Sequence, residues 1–365
     1  MDAFDLITEA HHEQVVFCHD EETGLKSIIA IHDTTLGPSL GGTRMWPYRT
    51  TLEALIDVLR LSEGMTYKAA VAGLDLGGGK AVIIGDAKTQ KSPDLLRAHG
   101  RFVDTLGGRY ITAEDVGIGV EDMEYVYEET DHVTGIQSSP RGSGDPSPVT
   151  AYGVYHGIRA SCKRKLGSDD LEGVRVAVQG AGHVGYYLCE DLAADGAEIT
   201  ITDIDRDRVQ TVVDEFGATA VEPDEIYDVA CDVFAPCALG AIINDNTLRR
   251  LRCSIVAGAA NNQLAEDRHG DALDARGILY APDYVINAGG LINVYGEIVG
   301  YGLDTAKERA EEIYDTLLSI YDIAQEEGIP TYRAADRLAQ KRIRNAKREK
   351  SAAPREADTV GAERG

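Results

Sequence analysis

Lysine is scarce in this chain. Of its 36 basic residues, 11 are lysine and 25 arginine, set against 61 acids for a formal charge of −25. An acidic excess of that size repels nucleic-acid phosphates and anionic lipid, so neither is an expected partner and a small molecule is favoured. The same excess suits high salt, where screening tames self-repulsion, although an ordinary acidic enzyme remains the alternative. No apolar run is long enough to span a bilayer. The opening "MDAFDLITEA" carries acids where a secretory signal carries lysine or arginine, so the expected location is the cytoplasm. The six cysteines form no CxxC pair, and the nine histidines include neither HxxxH nor HExxH. Buried free thiols are therefore expected, and no metal site. His11 and His12 fall in an acidic, surface-like stretch.

What the chain does have is alternation. Its 365 residues accommodate about two domains. Strand-like runs at 25–33 and 81–86 flank a helical stretch at 51–70, in which Leu52, Leu55, Ile56, Leu59, Met65 and Ala69 keep one face apolar. The clearest composition break is "QSSPRGSGDPSPVTAYG", 137–153, read as a hinge between domains. A helix is expected around 149–165. Short apolar runs at 232–238, 254–260, 277–282 and 284–290 read as further strands, and 304–350 as helix interrupted near "EGIPTY". The fold class expected is α/β with two domains and a cleft between them, the second built on a doubly wound parallel sheet.

Gly180, Gly182 and Gly185 in "GAGHVG" spell GxGxxG, weak alone but strong in context. An apolar strand precedes it, and a helix with Val184, Leu188 and Leu192 on one face follows. The next strand ends at Asp203, 18 residues past the third glycine. The first glycine permits the turn, the second admits a pyrophosphate to the backbone, and the third allows close helix packing. Asp203 can accept from both ribose hydroxyls and repel a 2′-phosphate, which favours NAD. Nearby Arg206 and Arg208 keep NADP as the alternative.

"GLDLGGGKAVII", 73–84, sets three glycines before Lys80. A phosphate loop fails here, because Leu74 stands where its first glycine belongs and Ala81 follows the lysine. The remaining reading is an amine at the start of a strand behind a flexible, uncrowded turn. Beside a second cation such as Lys68 its pKa falls toward that of a general base. Read singly, each lysine is as readily a solvated charge, and Asp115, after the strand-like "RYITA", as readily a helix cap.

Together "GPSLGGTRMWPY", "GMTYKAAVAGLDLGGGK", "GRYITAEDVG", "GSGDPSPVTAYGV" and "YAPDYVINAGGLINV" resemble the glutamate/leucine/phenylalanine/valine amino-acid dehydrogenase family, its leucine-specific members above all. The resemblance spans residues from about 10 to about 345. It implies that Lys68 binds the substrate carboxylate, Lys80 is the general base and Asp115 relays protons. It further implies that Gly41 and Gly42 let substrate approach the backbone, and that Leu40, Met65, Ala113, Thr134, Leu291 and Val294 line the side-chain pocket. Asn261 and Asn262 would orient nicotinamide and substrate amine. Ser147, Thr150, Ala181, His183 and Val184 join the glycines and Asp203 in holding NAD. Glutamate-specific members place a cation and a hydroxyl where Leu40 and Val294 fall. Leu291 stands where valine is expected, and His183 where asparagine is usual.

The implied function is NAD-dependent oxidative deamination of branched-chain L-amino acids by a homo-oligomer, with phenylalanine or valine preference as the near alternative. A catalytically silent NAD sensor and a pyridoxal enzyme using Lys80 are the distant ones. Residues 1–137 would form the catalytic and oligomerisation domain, completed by 331–350. Residues 138–330 would form the Rossmann domain, and 351–365 a disordered tail.

Overall fold

In the computed structural model, which describes residues 3–136, 142 and 144–352, the strands sort into two sheets. Helix α1 (Ala3–Glu9) leads into the antiparallel hairpin β1 (Gln14–Asp20) and β2 (Leu25–Asp33). Then come β3 (Ser39–Trp46), α2 (Thr51–Val71), β4 (Gly77–Ile84), α3 (Pro93–Asp104), β5 (Tyr110–Ala113) and α4 (Val120–Tyr127). The first sheet has the order β1-β2-β4-β3-β5, antiparallel on the β1 side and parallel among β4, β3 and β5.

Helix α2 starts where the Thr50 hydroxyl accepts from the Glu53 amide at 3.1 Å while the Glu53 carboxylate accepts from the Arg49 amide at 2.9 Å. It covers one face of this sheet, with Ala54, Leu55, Val58 and Leu59 packed on Ile28, Ala30 and Val82. Leu52 and Ile56, expected on the buried face, are each 49% exposed. A 3.6-residue period fits two neighbouring stripes, and the sheet selects the one carrying the smaller residues. His12 is likewise buried rather than on the surface, its Nε2 2.7 Å from Ser62 Oγ on α2.

The second sheet begins after α5 (Ser147–Leu166). It is built from β6 (Arg175–Gln179), α6 (His183–Ala194), β7 (Glu198–Thr202), α7 (Arg206–Phe216), β8 (Thr219–Ala220) and β9 (Val233–Pro236). Next come α8 (Thr247–Arg250), β10 (Ile255–Val256), α9 (Asp267–Ala275) and β11 (Leu279–Tyr280). All its pairs are parallel, in the order β11-β10-β9-β6-β7-β8, which is the doubly wound Rossmann arrangement with β6 as its first strand.

The run 284–290, expected as a strand, is helical, split between α10 (Asp283–Ile286) and α11 (Gly289–Val299). A short apolar run does not distinguish a strand from a buried helix. Here a Cβ on Gly289 would lie 2.3 Å from the Val149 carbonyl, so the glycine lets α11 dock on α5.

Helices α12 (Leu303–Glu311), α13 (Ile313–Glu327) and α14 (Thr331–Ala352) finish the described chain. Helix α14 returns to the first sheet and lies on α2, with Arg342 donating to the Ala70 carbonyl at 2.9 Å and Lys347 pairing with Asp33 at 2.7 Å. Of the expected hinge, 137–141 and 143 lie outside the described residues and 147–153 are already α5. Of the expected tail, 351 and 352 close α14 and the rest lies outside the described residues.

Candidate active site

Lys80 sits in mid-strand. Gly77, Gly78 and Gly79, expected as a flexible turn with room for a ligand, are the first residues of β4. A Cβ on Gly78 would lie 2.1 Å from the Thr66 amide nitrogen on α2, and one on Gly77 would lie 2.0 Å from the Asp33 carbonyl oxygen. The triplet therefore admits neighbouring protein, not substrate. The space expected beside Gly41 and Gly42 is filled in the same way. Their added Cβ atoms would meet the Gly79 carbonyl at 1.7 Å and the Glu114 carbonyl at 2.3 Å, and the Gly41 carbonyl already accepts from Tyr110 at 2.6 Å.

Alternation along β4 turns Gly78, Lys80 and Val82 toward α2. Lys80 is buried, with Nζ 2.8 Å from Asp115 Oδ2 just beyond the end of β5. Burial pushes the ammonium below its ordinary pKa, and the Asp115 charge offsets only part of that. Burial works to raise Asp115, but Lys80 and Arg44 outweigh it and hold the carboxyl below its usual range. An amine whose pKa burial lowers, set beside a carboxylate held charged, has the parts for general acid–base chemistry.

Lys68, in the last turn of α2, donates to Asn287 Oδ1 at 2.7 Å. Burial lowers its pKa to about 8, with Asp283 opposing and Lys80 adding to the fall. The two lysines thus share one field. Asn287 passes the contact on, its Nδ2 donating to Asn261 Oδ1 at 2.8 Å. Asn261 and Asn262 follow β10, both exposed, and Asn262 is left-handed at φ 51°. Sequence reading missed Asn287 and Asp283 because both lie in or beside the run taken for a strand. A polar Asn inside "YVINAGG" was the available signal.

Leu40 of β3 and Leu291 of α11 are buried in the main apolar core, and half-buried Met65 of α2 and Val294 of α11 pack against it. Thr134 is buried, its amide donating to the Thr112 carbonyl at 2.9 Å, and half-buried Ala113 ends β5. The neighbouring Gly135 amide donates to Glu297 of α11 at 2.9 Å, a bond between the two halves of the chain.

The glycine turn lies between β6 and α6, at the strand-order reversal beside β9. Gly180 adopts φ 113°, a conformation that side chains resist. At Gly185 a Cβ would strike the Gly180 carbonyl at 2.0 Å, whereas at Gly182 only Arg208 comes near, at 3.9 Å. Gly182 caps α6 without a side-chain bond to its first amides. Together with Ala181, His183, Asp145, Arg208 and Thr211 it lines a cavity of about 250 Å³.

That opening fits a dinucleotide pyrophosphate. Val184 follows in the first turn of α6, and exposed His183 places Nδ1 3.2 Å from Asp145. Asp203 accepts from the Ala181 amide at 2.7 Å and the Asp205 amide at 2.9 Å. Ser147 starts α5, and Thr150, one turn on, abuts Gly290.

A doubly wound sheet with a dinucleotide turn, facing two coupled lysines and a carboxylate, defines a nicotinamide-dependent amino-acid dehydrogenase. Comparison with known proteins agrees. The family model of the Glu/Leu/Phe/Val dehydrogenase dimerisation domain matches residues 12–132, and that of Glutamate/Leucine/Phenylalanine/Valine dehydrogenase matches 142–206 and 200–351. A leucine dehydrogenase from Bacillus cereus is 57% identical over 96% of each chain. An L-tryptophan dehydrogenase from Nostoc punctiforme is 52% identical over 96% of this chain and 98% of its own. The crystal structure of L-tryptophan dehydrogenase from that organism superposes with a TM-score of 0.86 at 50% identity, covering 94% of this chain and 99% of that one. The chain belongs to the glutamate/leucine/phenylalanine/valine dehydrogenase family.

Proposed function

We propose that the protein catalyses reversible, NAD-dependent oxidative deamination of branched-chain L-amino acids, leucine with valine and isoleucine, to 2-oxo acids and ammonia. The observation carrying the substrate class is that Leu40 and Leu291 are buried in the main apolar core and Met65 and Val294 pack against it, which gives the expected pocket an apolar wall. A γ-carboxylate buried against that wall has no partner, at a cost of several kcal/mol, so glutamate is disfavoured.

Lys68 holds the substrate carboxylate. Ala113 and Thr134 frame the substrate and Asn262 orients its amine, while neighbouring backbone takes the space beside Gly41 and Gly42. A nicotinamide held at Ser147, Thr150 and Asn261 would supply the acceptor for the Cα hydride. Lys80, as free amine, then accepts a proton from the water that adds to the resulting iminium carbon, and Asp115 relays protons between Lys80 and the departing amine. Ser147, Thr150 and Asn261 belong to the nicotinamide end of the site.

Asp203 supports NAD over NADP, as do the arginines beside it. Arg206 is paired with Glu222 at 3.2 Å and Arg208 with Asp205 at 3.2 Å, so each already has an acidic partner. Residues 1–137 with 331–350 form the catalytic and oligomerising unit in this reading, and 138–330 the nucleotide unit. The protein acts as a homo-oligomer in the cytoplasm, a compartment that suits six unpaired thiols. No described helix is long and apolar enough to cross a membrane. Its acidic surface is an adaptation to high salt.

A second reading, aromatic L-amino acids, draws on the 52% identity to an L-tryptophan dehydrogenase. One initial-rate panel tests both: leucine, valine, isoleucine, phenylalanine, tryptophan and glutamate, with NAD and NADP, at low and high salt. Leucine should lead the aromatic substrates by about tenfold or more in kcat/KM, since misfit by even one methylene in an apolar pocket is worth about tenfold and aromatic side chains are larger by several carbons. NAD should lead NADP, and activity should fall at low salt. Aromatic preference moves the function to the second reading. Turnover of nothing in the panel returns it to a nucleotide sensor, and indifference to salt removes the halophilic reading.

A further inference from the structure

Asp115 Oδ2 serves two cations, and only Lys80 has a part in the chemistry above. The other is Arg44, whose Nε lies 3.0 Å from the same oxygen. Strand β3 runs parallel to β4 with Arg44 opposite Val82, so Arg44 stands on the α2 face, one pleat along from Lys80. Its far side is anchored, with a terminal guanidinium nitrogen 3.0 Å from Asp57 Oδ2 on α2. Asp57 is itself held by the Tyr48 hydroxyl at 2.6 Å and by Arg60 at 2.9 Å. Three elements therefore converge on Asp115 through one planar, permanently charged group.

We propose that Arg44 is a positioning residue for the reaction: it fixes the Asp115 carboxylate and opposes the ammonium form of Lys80, with Asp57 as its anchor. The proposal rests on Lys80 being the base. Asp115 at 2.8 Å draws Lys80 toward its ammonium form, against the effect of burial. Arg44 divides the hold of that oxygen and adds a repelling positive charge. The charged groups facing the pair are Asp115 and Glu114 beyond β5, Arg44 on β3, and Asp57 and Lys68 on α2, with Asp283 of α10 behind Lys68. Asp115 and Asp57 favour the ammonium form of Lys80, and Arg44 disfavours it.

The signs separate this role from a merely structural one. Arg44→Met and Asp57→Asn break the same ion pair, but the first removes a cation and the second an anion. Both residues line a cavity of about 720 Å³ with Trp46, Leu52, Ile56 and Val116, so the shorter Met at 44 leaves space that water can enter, while Asn at 57 keeps the volume of Asp.

The experiment is the pH profile of kcat/KM for one amino acid in wild type, Arg44→Met, Arg44→Lys and Asp57→Asn, with NADH binding and thermal unfolding measured alongside. Arg44→Met should move the acidic limb upward by about one pH unit, Asp57→Asn should move it downward by less, and Arg44→Lys should return it near wild type with a lower kcat. Limbs that stay put, or that shift the same way in both variants, overturn the proposal. The downward shift in Asp57→Asn tests it even if Arg44→Met does not fold. Lys80→Ala separates the two readings: full turnover there refutes the base assignment itself, whereas an inactive Lys80→Ala with unmoved limbs refutes only the role of Arg44.

Discussion

The parallel sheet keeps its central strands largely apolar: Val176, Ala177, Val178, Val233, Phe234, Ala235, Ile255 and Val256 are all buried, with Gln179 and Thr202 as polar exceptions at strand ends. The mixed sheet does the reverse. Lys80 and Arg44 project from mid-strand, and Ser27, His32, Ser39, Thr43 and Thr112 are buried polar residues of the same sheet. These groups are paired: Thr43 Oγ1 lies 2.6 Å from Thr112 Oγ1 and 3.0 Å from His99 Nε2, while His32 Nδ1 lies 2.8 Å from Thr66 Oγ1. A turn offers backbone amides to whatever ligand arrives. A strand holds a single amine in one place, at the cost of building a polar interior around it.

The sharpest break in this comparison is between two glycines. Gly78→Ala drives a Cβ to 2.1 Å from the Thr66 amide, against helix backbone that cannot yield. Urea unfolding should show a loss of at least about 3 kcal/mol, the upper end of overpacking costs. Gly182→Ala meets nothing closer than 3.9 Å, so stability should change by less than about 1 kcal/mol while NADH binding weakens. Equal destabilisation in the two variants would erase the distinction.

A smaller effect follows from the buried histidines of the mixed sheet. Burial lowers His99 and His32 to about 4, and lowers His12 too. Between about pH 4 and the unfolded value near 6.5 the unfolded chain binds more protons, so stability falls as pH drops through that window. The loss is about 1 kcal/mol per histidine for each pH unit crossed. Amide exchange at pH 5 should open β2 and β4 before β6 and β9; the opposite order would contradict the assignment of the titrating core.

The glycine turn between β6 and α6 was legible in the sequence, because the flanking strand and helix are contiguous and Gly180 and Gly185 each meet a local constraint. The lysine pair and Asp115 were legible through the family resemblance, but their surroundings were not. The glycine triplet read as a turn because glycine marks flexibility as readily as close packing. Asp57, Arg44 and Asp115 converge from α2, β3 and the loop after β5, separations that no local period encodes. Asn287 was hidden by a short apolar run that fits strand and helix equally. Leu52 and Ile56 show the same ambiguity on a helix already recognised.

Lys80→Ala bears most directly on the claim that strand and turn divide the work. Initial rates with leucine and NAD, measured beside NADH binding by fluorescence, should show turnover lost by about 10³-fold, the scale of a general base, with NADH affinity within about threefold of wild type. Undiminished turnover, or NADH binding lost along with it, would contradict that division.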